Sequence, residues 1–140
     1  MVTRLRYSRQ RELIRNCLKE RKDHPTAEML YEAVREIDPK ISLGTVYRNL
    51  DLLRKLGEVQ VLNAADGLLH FDACTRPHSH FYCRICRRLF DLENAAGEQL
   101  LKLALNLCEG RSENCILMVN GICADCLHEP GIQAGPAPKG

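Results

Sequence analysis

At 140 residues with 45% hydrophobic content, the chain can bury a real core as one domain or as two small ones. It has no apolar run near the roughly eighteen residues a membrane helix needs, and its charged start, MVTRLRYSRQ, leads into no apolar stretch, which excludes a spanning helix and a secretory signal and predicts a cytoplasmic protein. The net charge of +2 divides unevenly, with thirteen Lys/Arg against nine Asp/Glu in residues 1–60 and seven against nine in residues 61–140, so the mildly basic first half suits a polyanion such as nucleic acid.

Ser8 is placed to cap a helix running to about Arg21, with Leu13, Ile14, Cys17 and Leu18 on one face. Thr26 caps a second helix, predicted to turn Leu30, Ala33, Val34 and Ile37 inward after an extended entry through His24-Pro25, and Pro39 ends it. Ser42 caps a third, SLGTVYRNLDLLRKLG, in which Leu43, Val46, Leu50 and Leu53 form the apolar stripe and Gly57 is the stop. Gly44, Arg48, Asp51 and Lys55 lie opposite that stripe, with Thr45, Tyr47 and Asn49 on its flanks. EVQVLNAADGLLHFD then reads as two strands around a short Asp66-Gly67 turn.

Three helices and a hairpin make a winged helix, whose last helix enters the major groove of DNA. Arg48 can pair with guanine and Tyr47 can meet a thymine methyl, with Ser42, Thr45 and Asn49 completing the expected DNA-binding face. Taken alone this face would read as ordinary solvated surface; the preceding helices and following wing favour DNA.

Residues 75–77 form a short hinge, followed by strands near 79–83 and 88–92, a helix near 94–108 and a strand near 114–121. The expected fold class is α+β: a winged helix-turn-helix domain over residues 1–74, a small α/β dimerisation domain over 78–128, and a disordered tail over 129–140. A unit that small has little core and exposed strand edges, so pairing with a second copy is predicted. A homodimer would read a double-stranded operator of two half-sites, a palindrome.

Eight cysteines without an export signal argue for metal ligation over disulfides. Cys83-Arg84-Ile85-Cys86 and Cys123-Ala124-Asp125-Cys126 are two C-x2-C pairs, the usual cage for a structural zinc, separated by 36 residues. His78 and His80 share one strand face while Cys83, at odd separation, takes the other, which predicts two metal sites. The second could draw on Asp72, Asp91 and His24, a borderline-to-hard set with the two histidines that suits Fe(II), Mn(II), Co(II) or Zn(II). Each of the three also has an ordinary reading: a helix-entry residue, a turn acceptor, a surface charge. His70 and His128 read as surface histidines without a role, Cys17 as core, and Cys74, Cys108 and Cys115 as buried or incidental.

The motifs HPTAEMLY, SLGTVYRNLDLL, HFD, HSHFYCRIC, LFD and GICADC, in this order and spacing, resemble the ferric uptake regulator family of metal-sensing repressors over about residues 8–127. The resemblance implies a winged-helix DNA-binding domain, a C-terminal dimerisation domain, one structural Zn2+ per subunit at Cys83, Cys86, Cys123 and Cys126, and one regulatory Fe2+ or Mn2+ per subunit held by His24, Asp72, His78, His80 and Asp91. Aspartate at both carboxylate positions resembles the peroxide-sensing branch, in which oxidation of His24 or His78 would release metal and DNA. Such a protein is a sensor and not an enzyme. Two departures stand out: Pro77-His78-Ser79-His80 where iron-sensing members show H-H-D-H, and Arg87-Arg88 where the family usually has Gly-Lys. The second predicts a different turn, because a non-glycine residue at positive φ costs on the order of 1 kcal/mol. A metal-availability sensor without peroxide chemistry, a redox switch at the zinc thiolates, and a non-haem iron oxygenase built on two histidines and a carboxylate are the alternatives.

Overall fold

The computed structural model describes residues 5–76, 78–92, 95–111 and 116–131. The chain is α+β and forms two compact units, one from the described residues of Met1–Asn63 and Gly67–Arg76, the other from those of Ala64–Asp66 and Pro77–Gly140. No helix among the described residues is long and apolar enough to cross a membrane.

The first unit holds α1 (Arg9–Lys19), α2 (Ala27–Ile37), α3 (Leu43–Lys55) and a hairpin of β1 (Gln60–Asn63) and β2 (Leu69–Asp72). Each helix starts where a hydroxyl is placed to accept an orphan backbone N–H: Ser8 from Arg11, Thr26 from Met29, Ser42 from Thr45. Gly57, at φ 73, closes α3: its N–H donates to the Arg54 carbonyl and that of Glu58 to the Leu53 carbonyl, the paired bonds of a Schellman cap. The core unites Ile14 and Leu18 of α1, Leu30 and Val34 of α2, and Val46, Leu50 and Leu53 of α3, with Phe71 of β2 and half-buried Cys17 against them.

The structure corrects four expectations here. α1 ends at Lys19, short of Arg21. Ile37, the last residue of α2, is 61% exposed; the chain leaves helical geometry at Asp38, and Ile41 fills the core instead. The hairpin connection is longer than a two-residue turn, because Asn63 pairs with Leu69 and leaves residues 64–68 between the strands, with Gly67 at φ 78. His24 is not an extended entry to α2 but stands at φ 49.

The second unit is a three-stranded sheet in the order β4 (Leu89–Leu92), β3 (Ser79–Cys83), β5 (Met118–Gly121), with β3 antiparallel to β4 and parallel to β5. α4 (Ala95–Asn106) lies against β3, and Cys123 caps a one-turn α5 (Ala124–Leu127) beyond the expected strands. α4 and β5 are shorter than the expected 94–108 and 114–121. The side-chain alternation of β3 sorts its two faces: Tyr82 packs with Leu89, Ala64 and Met118, whereas Phe81 and Cys83 pack with Phe90, Ile122 and the other cysteines. Cys115 and most of the expected tail, residues 132–140, lie outside the described residues.

Candidate metal centres and nucleic-acid face

β3 delivers Cys83 to the mouth of a tight turn, in which the Arg87 N–H donates to the Cys83 carbonyl (2.8 Å) and the Cys83 N–H to the Arg88 carbonyl (3.1 Å). That turn presents Cys86, and α5 presents Cys123 and Cys126. The four sulfurs lie within 4.8 Å of one another, and all four thiols are free. Four sulfurs about 2.3 Å from one ion at tetrahedral corners would sit about 3.8 Å apart, and Cys86 Sγ to Cys123 Sγ is 3.8 Å. The donor set and spacing therefore fit zinc. Burial pushes the Cys83 thiol up, but backbone N–H groups of Cys123, Cys86 and Ile85 overcome it and bring it down to about 6. Cys126 goes the other way: burial first, then the neighbouring thiols, push it up to about 12.

The turn carries no glycine, and Arg87 stands at φ 60, in the left-handed region. The closing hydrogen bonds and the packed cysteines hold it there at a strain of about 1–2 kcal/mol.

The remaining ligand candidates form two groups, one in each unit. In the first unit His24 and Asp72 are both buried, with Nδ1 to Oδ2 at 3.8 Å. Asp72 accepts the Cys74 N–H through its other oxygen at 2.8 Å. His70 is buried too, contrary to its reading as a surface residue, and its Nδ1 is 2.7 Å from the His24 carbonyl. Beside it the Phe71 N–H donates to the Pro25 carbonyl at 3.0 Å. These bonds from β2 hold the His24-Pro25 segment in place and account for a histidine at φ 49, which costs energy unless its surroundings impose it. No local pattern in the sequence signals this contact of His70 with the segment that carries His24.

In the second unit Asp91 stands directly opposite His80 across the β3–β4 ladder. Its Oδ1 lies 3.2 Å from His78 Nε2 and 3.5 Å from His80 Nε2, with the two rings 4.3 Å apart. His80 is fully buried and His78 is half-buried. Two imidazoles and a carboxylate converging on one point are a donor set for a borderline-to-hard divalent cation.

On α3 the side chains of the expected DNA face are organised among themselves. The Ser42 hydroxyl is 2.9 Å from that of Thr45, and Arg48 donates to the Thr45 hydroxyl at 3.1 Å. A Cβ on Gly44 would lie 3.2 Å from Arg48 Nη1, so glycine makes room for the guanidinium to fold back. Tyr47 donates its hydroxyl to Glu28, which raises the phenol and lowers the carboxyl. Asn49 is spent on the Thr45 carbonyl of its own helix (2.9 Å), while Tyr47 and Arg48 remain exposed.

The Ferric uptake regulator family matches residues 3–114 of the chain. The chain belongs to the ferric uptake regulator family. Among its relatives, the Ferric uptake regulation protein of Campylobacter upsaliensis is 29% identical over 132 residues, covering 92% of this chain and 85% of that one. The Peroxide-responsive repressor PerR of Staphylococcus epidermidis is 29% identical over 125 residues, covering 89% and 83%. The structure of the Helicobacter pylori ferric uptake regulator Fur superposes with a TM-score of 0.77 at 20% identity, covering 91% of this chain and 85% of that one, and shows the same fold. The family is one of metal-responsive transcription regulators, and the second cysteine pair, Cys123 and Cys126, lies past its matched span.

Proposed function

We propose that this member of the family is a metal-dependent DNA-binding repressor that senses hydrogen peroxide through one regulatory cation per subunit, Fe(II) or Mn(II), held by His24, Asp72, His78, His80 and Asp91. The observation that carries the reading is the pairing of buried imidazole with aspartate in each unit, His24 with Asp72 and His78 and His80 with Asp91. One cation taking ligands from both would clamp the units and select one spacing of the two recognition helices in a homodimer. Structural zinc occupies Cys83, Cys86, Cys123 and Cys126 on this reading. Arg48 and Tyr47 read bases in a palindromic operator, while Ser42, Thr45 and Asn49 order the start of α3 against the backbone.

Fe(II) bound there supplies reduction of peroxide beside its own ligands, a chemistry Mn(II) does not share. One peroxide oxygen is added to a ring carbon of His24 or His78 and the other leaves as water. An oxygenated imidazole is a poor donor, so the ligand set falls apart and DNA is released. Half-buried His78 is the more accessible of the two. The experiment is operator binding with Mn(II) or Fe(II), before and after peroxide: binding lost only with Fe(II) supports the reading. Binding that survives with both metals favours the second reading, a sensor of metal availability, which the equal identity to the Campylobacter upsaliensis protein supports.

A further inference from the structure

Arg88 occupies a position that neither the ligand set nor the fold requires. It follows the strained Arg87, and its guanidinium makes three separate contacts. Nε donates to Cys86 Sγ at 3.4 Å, Nη2 meets Asp125 Oδ2 at 3.3 Å, and the group lies 5.2 Å from the centre of the Phe90 ring. Cys86 belongs to the first cysteine pair and Asp125 sits between Cys123 and Cys126 of the second. One side chain therefore bridges the two pairs, which also meet through the Cys123 N–H donating to Cys83 Sγ at 3.3 Å and the Cys86 Sγ to Cys123 Sγ contact at 3.8 Å. Stacking on Phe90 restricts the guanidinium to that bridge, since the planar fork is attracted to the ring face.

Four thiolates around a divalent cation leave excess negative charge on sulfur, and a sulfur that accepts a charge-assisted hydrogen bond is a weaker nucleophile. We propose that Arg88 is a clamp on the cysteine cage, a positioning residue that ties its two halves together and shields Cys86 from electrophiles. The inference rests on the reading of the four cysteines as a zinc site. It assigns to the Arg at position 88 a function distinct from ligation: residues outside the ligand set commonly change metal affinity 10–100-fold, as an order of magnitude.

The test uses the full zinc-loaded chain and two readouts, zinc release followed with a colorimetric chelator and iodoacetamide alkylation mapped by peptide mass spectrometry. In alkylation the cysteine sulfur forms a bond to carbon as the carbon–iodine bond breaks and iodide leaves. Arg88→Ala is expected to speed both on the order of tenfold, with Cys86 the first cysteine modified. Arg88→Lys, which keeps the charge but cannot span both partners, should recover part of the protection. Asp125→Asn, at a residue whose side chain is 78% exposed and whose change should not unfold the protein, should loosen the bridge and give a smaller acceleration. Unchanged rates in Arg88→Ala overturn the clamp, and so does equal modification of all four cysteines, the mark of a merely unfolded turn. Wild-type protein that holds less than one zinc per chain overturns the cage reading itself, which zinc content alone distinguishes.

Discussion

Arg87 and His24 are the two non-glycine residues at positive φ among the described residues, and both lie in segments that carry candidate metal ligands. The side chain at position 87 is exposed, so Arg87→Gly chiefly removes backbone strain while giving the unfolded chain more freedom. The variant is expected to be more stable by up to about 1 kcal/mol in urea denaturation of the metal-free protein; a loss of stability would contradict the strain assignment. His70 acts differently. Its ring holds the His24 carbonyl at 2.7 Å, and His70→Ala should weaken Mn(II) binding several-fold and cost about 1–3 kcal/mol by removing a donor from a buried carbonyl, while zinc content stays the same. His70→Gln, which keeps a donor, should recover part of the affinity, as a calorimetric titration would show. The cysteine pairs were legible because spacing alone carries a C-x2-C motif. His70 was not, because its burial depends on a segment 46 residues earlier in the chain, and no local pattern reports that.

At the level of elements, helix starts were legible because Ser8, Thr26 and Ser42 each announce a cap, and the α3 stripe because Val46, Leu50 and Leu53 repeat at helical spacing. Ile37 fits the same period yet points to solvent, since the helix ends with it; periodicity names a face only while the helix continues. The hairpin length escaped for a related reason: Asp66-Gly67 marks where the chain turns, whereas ladder pairing from Asn63 to Leu69 decides how long the connection is. In β3, strict alternation did separate His80 from Cys83, because a strand of five residues leaves no room for a slip. Two changes test α3. Leu50→Ala, at a fully buried core position, should destabilise by about 2–5 kcal/mol in denaturant unfolding. Arg48→Ala, at an exposed one, should leave folding and zinc content alone and weaken specific operator binding by about 1–3 kcal/mol in a fluorescence anisotropy titration; unchanged affinity would remove Arg48 from the contacts.

Across the whole molecule, the proposed cation switch rests on the division into two units, each with its own imidazole–carboxylate pair. Coupling of that kind shifts a conformational equilibrium only by the difference in metal affinity between its states. Loss of one carboxylate should therefore abolish the switch without touching the cysteine cage: Asp91→Ala is expected to keep its zinc and lose Mn(II)-dependent operator binding, and metal analysis beside anisotropy checks both. The family was legible from ordered motifs spread along the chain, but what the regulator senses is written in ligand chemistry that a peroxide sensor and a metal sensor nearly share. The most direct measurement is peptide mass spectrometry of anaerobically Fe(II)-loaded protein before and after a brief pulse of hydrogen peroxide, with Mn(II)-loaded protein alongside. One added oxygen on the peptide carrying His24 or His78, only with iron, is the result predicted. Unmodified histidines with intact metal-dependent DNA binding would contradict peroxide sensing, and oxidation confined to the cysteines would place the switch at the zinc thiolates instead.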